Sequence, residues 1–222
     1  MKGIRKTRPP KPRYNQTWDP SVVLHYLEKL EPLDGLTLEQ LTYKTIGLIS
    51  LVTAHPVQSF SKIMLDDLQL NAEGIEIRIS AAIKTSKPNS PQPLLYLPFF
   101  RDHPHICAAR TISAYVSRTS SFRDASKNQL FLGLPSPHVP VTSQTNSRWI
   151  KAVLKSSGID TNIFCAHSVR HAATSAASRG GLSLDLIRQR AGWSATSSVF
   201  ARFYNRPIQA SEDSFARTVF QL

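Results

Sequence analysis

The chain has 222 residues, of which 41% are hydrophobic and 9% aromatic. This is enough apolar material for one sizeable folded domain, and it excludes a disordered chain. The net charge of +12 favours a polyanionic partner such as nucleic acid. The two cysteines, Cys107 and Cys165, have neither the spacing of a zinc site nor that of a disulfide framework. No apolar run approaches the roughly 18 residues of a membrane span.

A basic arm, residues 1–13, opens the chain with six lysine and arginine side chains. It lacks the apolar stretch of a signal peptide, so the sequence predicts a reducing compartment, with the nucleus as the expected location. The arm contacts phosphates, serves as a nuclear address or is a solvated tail, and composition leaves these three readings open. Residues 14–222 show no repeat and no linker and are predicted to form one domain.

The predicted elements are helices interrupted once by short strands. In chain order they are helices over residues 20–30, 37–52 and 57–65, strands over 75–79 and 94–98, a helix over 104–117, a brief strand over 130–132, helices over 143–156, 168–179 and 184–191, and a last turn over 198–203. Asp19, Thr37 and Ser143 are expected to cap the helices that they open. Pro56 breaks the chain after the second helix. Gly180-Gly181 ends the helix over residues 168–179.

The strand signals are short. Ile75, Ile77 and Ile79 alternate with polar residues, which is the period of a half-buried strand, and residues 94–98 are the expected partner. Residues 84–93 are polar, carry three prolines and read as the loop between them. The sequence therefore predicts a mainly α protein with a small antiparallel β-sheet, in the α+β class.

Chemistry-bearing residues concentrate near the C-terminus. Three segments stand there: His167-Ser-Val-Arg170-His171, Ala191-Gly192-Trp193 and Phe203-Tyr204-Asn205. A guanidinium stays charged and binds two phosphate oxygens at once, and a tyrosine hydroxyl can form a covalent link to phosphorus. On a strongly basic chain, this combination predicts that a DNA phosphodiester is broken through a protein–phosphate intermediate.

These segments resemble the catalytic domain of tyrosine recombinases of the phage integrase type. The resemblance is closer still to the recombinases of eukaryotic DIRS- and Ngaro-type retroelements. The matching pieces are Lys11-Pro-Arg-Tyr14, Trp18-Asp19, Lys84-Thr85-Ser86, Ala166-His167-Ser168, Ala191-Gly192-Trp193-Ser194 and Phe203-Tyr204-Asn205. The resemblance covers about residues 11–208. It implies the integrase catalytic core fold and an activity in DNA recombination and integration by a transposable element.

The resemblance also implies a role for each residue of the motif. Tyr204 attacks the scissile phosphate and forms a 3′-phosphotyrosine. Arg170 and His167 bind the transferred phosphate, and Trp193 donates its indole N–H to it. Lys84 protonates the leaving 5′-oxygen. Because the covalent link stores the bond energy, no metal or cofactor is implied.

Double-stranded DNA is the partner that the resemblance implies. Lys87 is the alternative acid, and with Arg13, Arg202 and Arg206 it is expected to contact the DNA backbone; solvated side chains are the alternative reading of the last two. His171 is expected to be structural.

Assembly is the second implication. The family forms tetramers on two duplexes, partly by passing a C-terminal segment to a neighbour. Residues 210–222 carry Phe215, Val219 and Phe220 at helical spacing, and this segment either reaches a neighbour or packs on its own domain. The family's separate N-terminal helical domain is expected to be absent, which removes phosphate contacts and makes DNA binding more sensitive to salt.

One position departs from the family. Relatives carry a first catalytic arginine in a pattern like Thr/Ser-Gly/Ala-x-Arg-Val-Gln, and this chain reads Thr53-Ala54-His55-Pro56-Val57-Gln58. Pro56 stands where the arginine is expected, and His55 is expected to point elsewhere. The loss of one guanidinium at a phosphate transition state costs on the order of 3 kcal/mol, or about 10²–10³ in rate, by analogy with the removal of one oxyanion donor.

Three hypotheses follow. The chain is a tyrosine recombinase that cleaves and rejoins DNA. Alternatively, it is an impaired or domesticated copy that binds DNA without cutting it, because Pro56 replaces the first arginine. Finally, it is a basic scaffold for RNA or acidic proteins, which the charge alone supports.

Overall fold

The computed structural model of the protein describes residues 11–83, 92–124 and 128–208. Its helices are α1 Pro20–Glu28, α2 Leu38–Thr53, α3 Val57–Phe60, α4 Ala108–Thr119, α5 Ser143–Ser156, α6 Ser168–Arg179 and α7 Leu184–Arg190, followed by a π-helical turn, Phe200–Tyr204. Its strands are β1 Leu68–Asn71, β2 Gly74–Arg78 and β3 Leu94–Pro98. The predicted α+β class is therefore confirmed.

The ends of the first helices follow the predicted signals. The Asp19 side chain accepts a hydrogen bond from the Ser21 N–H and caps α1. Thr37 and Gln40 exchange hydrogen bonds in a capping box at the start of α2. At the other end of α2, Ala54 adopts a left-handed conformation with φ 50°, which turns the chain out of the helix ahead of Pro56.

The sheet is antiparallel with strand order β1-β2-β3. Ile75 pairs with Leu97 and Ile77 with Leu95, and these four side chains are buried on the face that meets the core. Strand β1 was not predicted from the sequence. Its side chains are mostly exposed, so it lacks the apolar alternation that marked β2.

Three local predictions are wrong. The helix after Pro56 ends at Phe60, and the chain beyond it pairs with a distant segment, because the Leu65 N–H donates to the Asn128 carbonyl and the Ile63 carbonyl accepts from the Leu130 N–H. Residues 130–132 form no regular strand, since their neighbourhood has only isolated bridges, Met64 to Gln129 and Leu132 to Pro140. Helix α5 is capped by the Thr142 hydroxyl, which accepts from a backbone N–H of the first turn, and Ser143 is its first helical residue.

Helix α2 occupies the centre of the fold, where it packs against α4, α5 and α6. Gly47 permits the close approach of α1 and α5 to α2, because a Cβ atom there would lie 3.0 Å from Leu27 Cδ1 and 3.3 Å from Val153 Cγ1. The packing brings the end of α2 and Ala54 beside Ala173 and Thr174 of α6. In the part of the chain described, no helix has the length and apolar character needed to cross a membrane.

Candidate active site

Helix α6 positions two of the predicted residues. His167 directly precedes the helix in a helical conformation, with φ −66° and ψ −20°, and Arg170 follows three residues later. Side chains with this spacing share one side of a helix. The Trp18 Nε1–H donates to the Ser168 hydroxyl over 2.8 Å in the interior, which fixes the start of α6 against the body of the domain.

Tyr204 ends the π-helical turn, and α6 also holds its backbone. The Ser175 hydroxyl donates to the Tyr204 carbonyl over 2.7 Å and accepts from the Arg206 N–H over 3.0 Å. One serine of α6 therefore anchors the chain on both sides of the tyrosine peptide.

The N-terminal strap, which is residues 14–18, packs against the same region. The Thr17 N–H donates to the Pro207 carbonyl over 2.8 Å. The Tyr14 hydroxyl lies 3.2 Å from Cys165 Sγ, and the Tyr14 ring meets His171 edge-on with 5.0 Å between centroids. The strap therefore contacts both the segment after Tyr204 and the helix that carries the histidines.

The structure brings four predicted site residues together. His167 Nε2 lies 2.7 Å from Tyr204 Oη. The Arg170 guanidinium carbon lies 4.1 Å from the Trp193 ring centroid and 5.4 Å from the Tyr204 ring centroid. The Trp193 ring thus covers the guanidinium with its face, an arrangement that the predicted indole N–H contact did not anticipate.

The charge states suit phenol attack on a phosphate. Burial, together with the Arg170 charge, lowers the pKa of His167 to about 4, so its imidazole is neutral at neutral pH. Burial raises the pKa of Tyr204, and the nearby Arg170 opposes this rise. Burial lowers the pKa of Arg170 to about 10, which still leaves the guanidinium charged. A neutral acceptor, a protonated phenol and a cation are therefore adjacent.

Arg170 lacks a counter-charge in the part of the chain that the structure describes. The residue is only 5% exposed, and its Nε and Nη1 atoms are buried without a hydrogen-bond partner there. A buried cation that is neither paired nor hydrogen-bonded is strongly destabilising. The geometry therefore fits an anion with oxygen acceptors, and a phosphate matches the guanidinium in shape and charge.

His171, predicted to be structural, also lies at the site. Its ring stacks on Tyr204 with 4.2 Å between centroids and a 20° angle between planes. Burial, aided by nearby His167 and Arg206, lowers its pKa to about 3. Its spacing of four residues from His167 was the sequence signal for a shared helix face, but that signal alone assigned it no contact with the tyrosine.

The segment with the missing arginine reaches the site through a different residue. His55, expected to point elsewhere, has its ring buried directly against Gly192, the residue before Trp193. A Cβ atom on Gly192 would lie 2.8 Å from His55 Cε1. Burial and the Arg170 charge lower the pKa of His55 to about 4. Pro56 itself precedes α3 and offers no donor.

The predicted DNA-contacting arginines differ in their surroundings. Arg13 and Arg202 are exposed, with guanidinium carbons 5.7 Å and 5.3 Å from the Tyr14 and Phe203 ring centroids. The Arg206 guanidinium donates to two backbone carbonyls of its own segment. The remaining predicted elements lie outside the described residues: Lys84, Lys87 and the segment 210–222.

A cleft of about 390 Å³ adjoins His167. Arg148 and Lys151, both exposed on α5, line it together with Val57 and Cys165. Across residues 11–83, 92–124 and 128–208, no group of three or more histidine, cysteine, aspartate or glutamate side chains is placed to hold a metal ion.

The fold is shared with known proteins. The model of the phage integrase family matches residues 37–209. No curated protein matches the chain.

Several solved structures share the fold. The chain is similar to the XerA recombinase, at 15% identity and a TM-score of 0.61, over 96% of this chain and 66% of that one. It is similar to the XerH site-specific recombinase in a pre-cleavage complex with its difH substrate, at 15% identity and a TM-score of 0.65, over 95% and 54%. It is also similar to a lambda integrase tetramer bound to a Holliday junction, at 12% identity and a TM-score of 0.53, over 96% and 55%. The chain spans about half to two thirds of the length of these proteins.

Proposed function

Because this chain belongs to the phage integrase family, we propose that it cleaves and rejoins duplex DNA through a 3′-phosphotyrosine at Tyr204. The observation that carries the proposal is the buried Arg170 guanidinium, whose Nε and Nη1 atoms have no partner in the described residues, next to a tyrosine hydroxyl that already contacts an imidazole. A buried cation beside a nucleophile can stabilise the negative charge that develops on a phosphate during phosphoryl transfer.

The reaction proceeds in two balanced steps. Tyr204 Oη attacks the phosphorus, its proton passes to His167 Nε2, and the bond from phosphorus to the 5′-oxygen breaks. The leaving 5′-oxygen takes up a proton, for which Lys84 is the proposed donor. Attack by a new 5′-hydroxyl on the phosphotyrosine reverses these steps and releases Tyr204. The number of phosphoester bonds is unchanged over the two steps, so neither a cofactor nor an energy source is required.

DNA is the proposed partner for reasons of charge and shape. The net charge of +12 attracts the duplex, and the cleft beside His167 offers Arg148 and Lys151 to its backbone. Arg13 and Arg202 are exposed and available for further phosphate contacts, and Lys87 is proposed to add one. Related structures are bound to DNA, one of them as a tetramer, and we propose that copies of this chain assemble in the same way on two duplexes through residues 210–222.

The biological setting is proposed from the resemblance of its sequence pieces. Their similarity to DIRS- and Ngaro-type recombinases supports an origin in a eukaryotic retroelement. The basic arm and the absence of a disulfide framework in the sequence support a nuclear location.

A trapping experiment tests the cleavage proposal. Duplexes with a randomised central segment and a nick that lets the 5′-hydroxyl fragment diffuse away are incubated with the protein, and covalent adducts are isolated and sequenced. We expect an adduct with the wild type and none with Tyr204→Phe, while both proteins retain DNA binding. If the wild type yields no adduct from the whole pool, the cleavage proposal fails.

The second candidate function is DNA binding without cleavage, and Pro56 is the observation that favours it. An impaired copy regains its missing donor in the Pro56→Arg variant, which would then form adducts at least about 10²-fold faster than the wild type. Equal rates before and after the change eliminate this candidate. If the wild type cleaves DNA and His55→Leu lowers that rate, the phosphate contact of the missing arginine is assigned to His55.

A further inference from the structure

The loop between α2 and α3, residues 54–56, lies beside the candidate active site. Its first residue, Ala54, lines a groove with Thr174 and Ala191, and Val57, the first residue of α3 directly after the loop, lines the cleft beside His167. The loop therefore spans from the α6–α7 side of the site to the His167 side. His55 lies between these two points and is 5% exposed.

The turn before Trp193 is shaped around the His55 ring. Gly192 has φ +70°, and a Cβ atom there would lie 2.8 Å from His55 Cε1 and 3.2 Å from Nε2. A side chain at position 192 is therefore excluded both by its backbone conformation and by the imidazole. The next residue, Trp193, covers the Arg170 guanidinium, so the imidazole and the guanidinium contact consecutive residues of one turn.

Unpartnered buried nitrogen atoms collect here. Among the described residues, His55 Nδ1, Arg170 Nε, Arg170 Nη1 and His171 Nδ1 are all buried without a hydrogen-bond partner. Buried polar atoms in native proteins are nearly always paired, so the unpaired nitrogens of Arg170 and of His55, whose charge Arg170 affects, indicate a binding site for a polar ligand. Because one of these side chains is a cation, the ligand that satisfies the cluster is an anion.

We infer that His55 is the second phosphate-binding group of this site and takes the place of the arginine that Pro56 lacks. This inference rests on the proposed function. His55 Nδ1–H donates to one non-bridging oxygen of the scissile phosphate, and Arg170 binds the other. The phosphate-binding group thus shifts by one residue along the chain, from a guanidinium at position 56 in the family to the imidazole at position 55 here.

This role couples phosphate binding to proton uptake. Two groups bear on the charge of His55: the Arg170 guanidinium on α6 and the backbone carbonyl of Arg190 on α7, which accepts a hydrogen bond from the ring. Since Nδ1 has no partner, Nε2 makes that bond and carries the proton of the neutral ring. Nδ1 therefore needs a second proton to donate, and the negative phosphate favours the imidazolium that results.

Single-turnover cleavage of the selected suicide duplex tests the inference. At saturating DNA, we expect His55→Leu to slow adduct formation by about 10²-fold and His55→Asn, which retains a neutral donor, to lie between. The matched control is His25→Leu, whose side chain is 69% exposed on α1 and which should cleave at the wild-type rate. His55→Leu cleavage at the wild-type rate overturns the inference and leaves the proposed function standing.

The pH dependence of DNA affinity separates the two possible roles of His55. A residue that only packs in the interior would not change how DNA affinity varies with pH. Wild-type affinity should fall as the pH rises from 6 to 8, by at most tenfold per pH unit for one proton, and His55→Leu should lose that slope. Identical slopes for the two proteins contradict the inference.

A measurement on the wild-type sequence covers the case in which the variants do not fold or no adduct forms. Inorganic phosphate is added to ¹⁵N-labelled protein until the Arg170 Nε resonance stops shifting. We expect the His55 Nδ1 resonance to move to the protonated range in parallel. An unchanged His55 resonance overturns the inference alone, whereas an Arg170 resonance that never shifts overturns the anion site and the proposed function with it.

Discussion

His167 Nε2 and Tyr204 Oη lie 2.7 Å apart, so the proposed nucleophile and its proposed proton acceptor are in contact before any substrate arrives. The phenol retains its proton because burial raises the pKa of Tyr204. The imidazole is neutral because burial and Arg170 lower the pKa of His167 to about 4. Proton transfer from the phenol to Nε2 can therefore accompany the attack on phosphorus.

Replacement of His167 tests this pair. We expect His167→Gln to slow adduct formation at saturating DNA by about 10²–10⁴-fold, the usual range for the loss of a general base. DNA affinity should change much less, since Arg170 still binds the phosphate. Rates from single-turnover quenching, with exposed His25→Gln as the control, measure the effect. A His167→Gln rate within a few-fold of the wild type would show that another group accepts the proton.

Trp193 is expected to act through its ring face. Its centroid lies 4.1 Å from the Arg170 guanidinium carbon, and a desolvated cation–π contact contributes about 2 kcal/mol. Trp193→Leu should therefore reduce cleavage by roughly 30-fold, whereas Trp193→Phe retains an aromatic face and should keep most of the activity. If Trp193→Phe is as slow as Trp193→Leu, the indole N–H is the important group and the ring face is not.

The N-terminal strap is expected to position the nucleophile. Tyr14 meets His171 edge-on, and His171 stacks on Tyr204, so loss of the Tyr14 ring frees the stack. We expect Tyr14→Leu to lower the cleavage rate at saturating DNA by about tenfold, the effect of roughly 1.4 kcal/mol, with an unchanged Kd for DNA. Tyr14→Phe, which keeps the ring and loses only the hydroxyl contact to Cys165, is the matched control. Equal rates for all three proteins, measured well below their unfolding temperatures, would exclude a positioning role.

The sequence was sufficient for the class and for most helices because their signals are local. Asp19, Thr37 and Gly180 mark helix ends through their own backbone preferences and side-chain hydrogen bonds. Strand β1 was missed because its stability comes from pairing with β2, and its mostly exposed side chains leave no apolar pattern. The sequence identifies which residue types are present but not which partners they meet across the fold.

The candidate site also has residues that the sequence could identify and one whose position it could not. His167, Arg170, Trp193 and Tyr204 were identified by spacing and chemistry, and the structure places them in contact. The position of His55 could not be read from the sequence. It depends on the left-handed turn at Ala54 and on a glycine more than a hundred residues away that leaves room for the ring.

The buried ion pairs of Glu31 make stability depend on pH. Lys44 Nζ, on a fully buried side chain, lies 2.7 Å from Glu31 Oε1, and the Arg110 guanidinium binds both carboxylate oxygens. Burial raises the pKa of Glu31, but the hydrogen bonds and charges of Arg110 and Lys44 outweigh it, so the net pKa is lowered from 4.5. A depressed carboxyl pKa contributes stability that is present above the unfolded-state pKa and is lost as the pH falls through the folded-state value.

Glu31→Gln should therefore destabilise the fold at pH 7 by about 3–5 kcal/mol, because the Lys44 ammonium stays in the interior without its counter-charge. The difference from the wild type should shrink as the pH falls below 4.5, where the wild-type carboxylate also takes up its proton. Urea unfolding at several pH values measures both effects. The control is Glu28→Gln, which changes an exposed carboxylate at the end of α1 and should alter the free energy of unfolding little at any pH. A wild-type-to-variant difference that stays constant down to pH 3 would mean that the charge of Glu31 is not what stabilises Lys44.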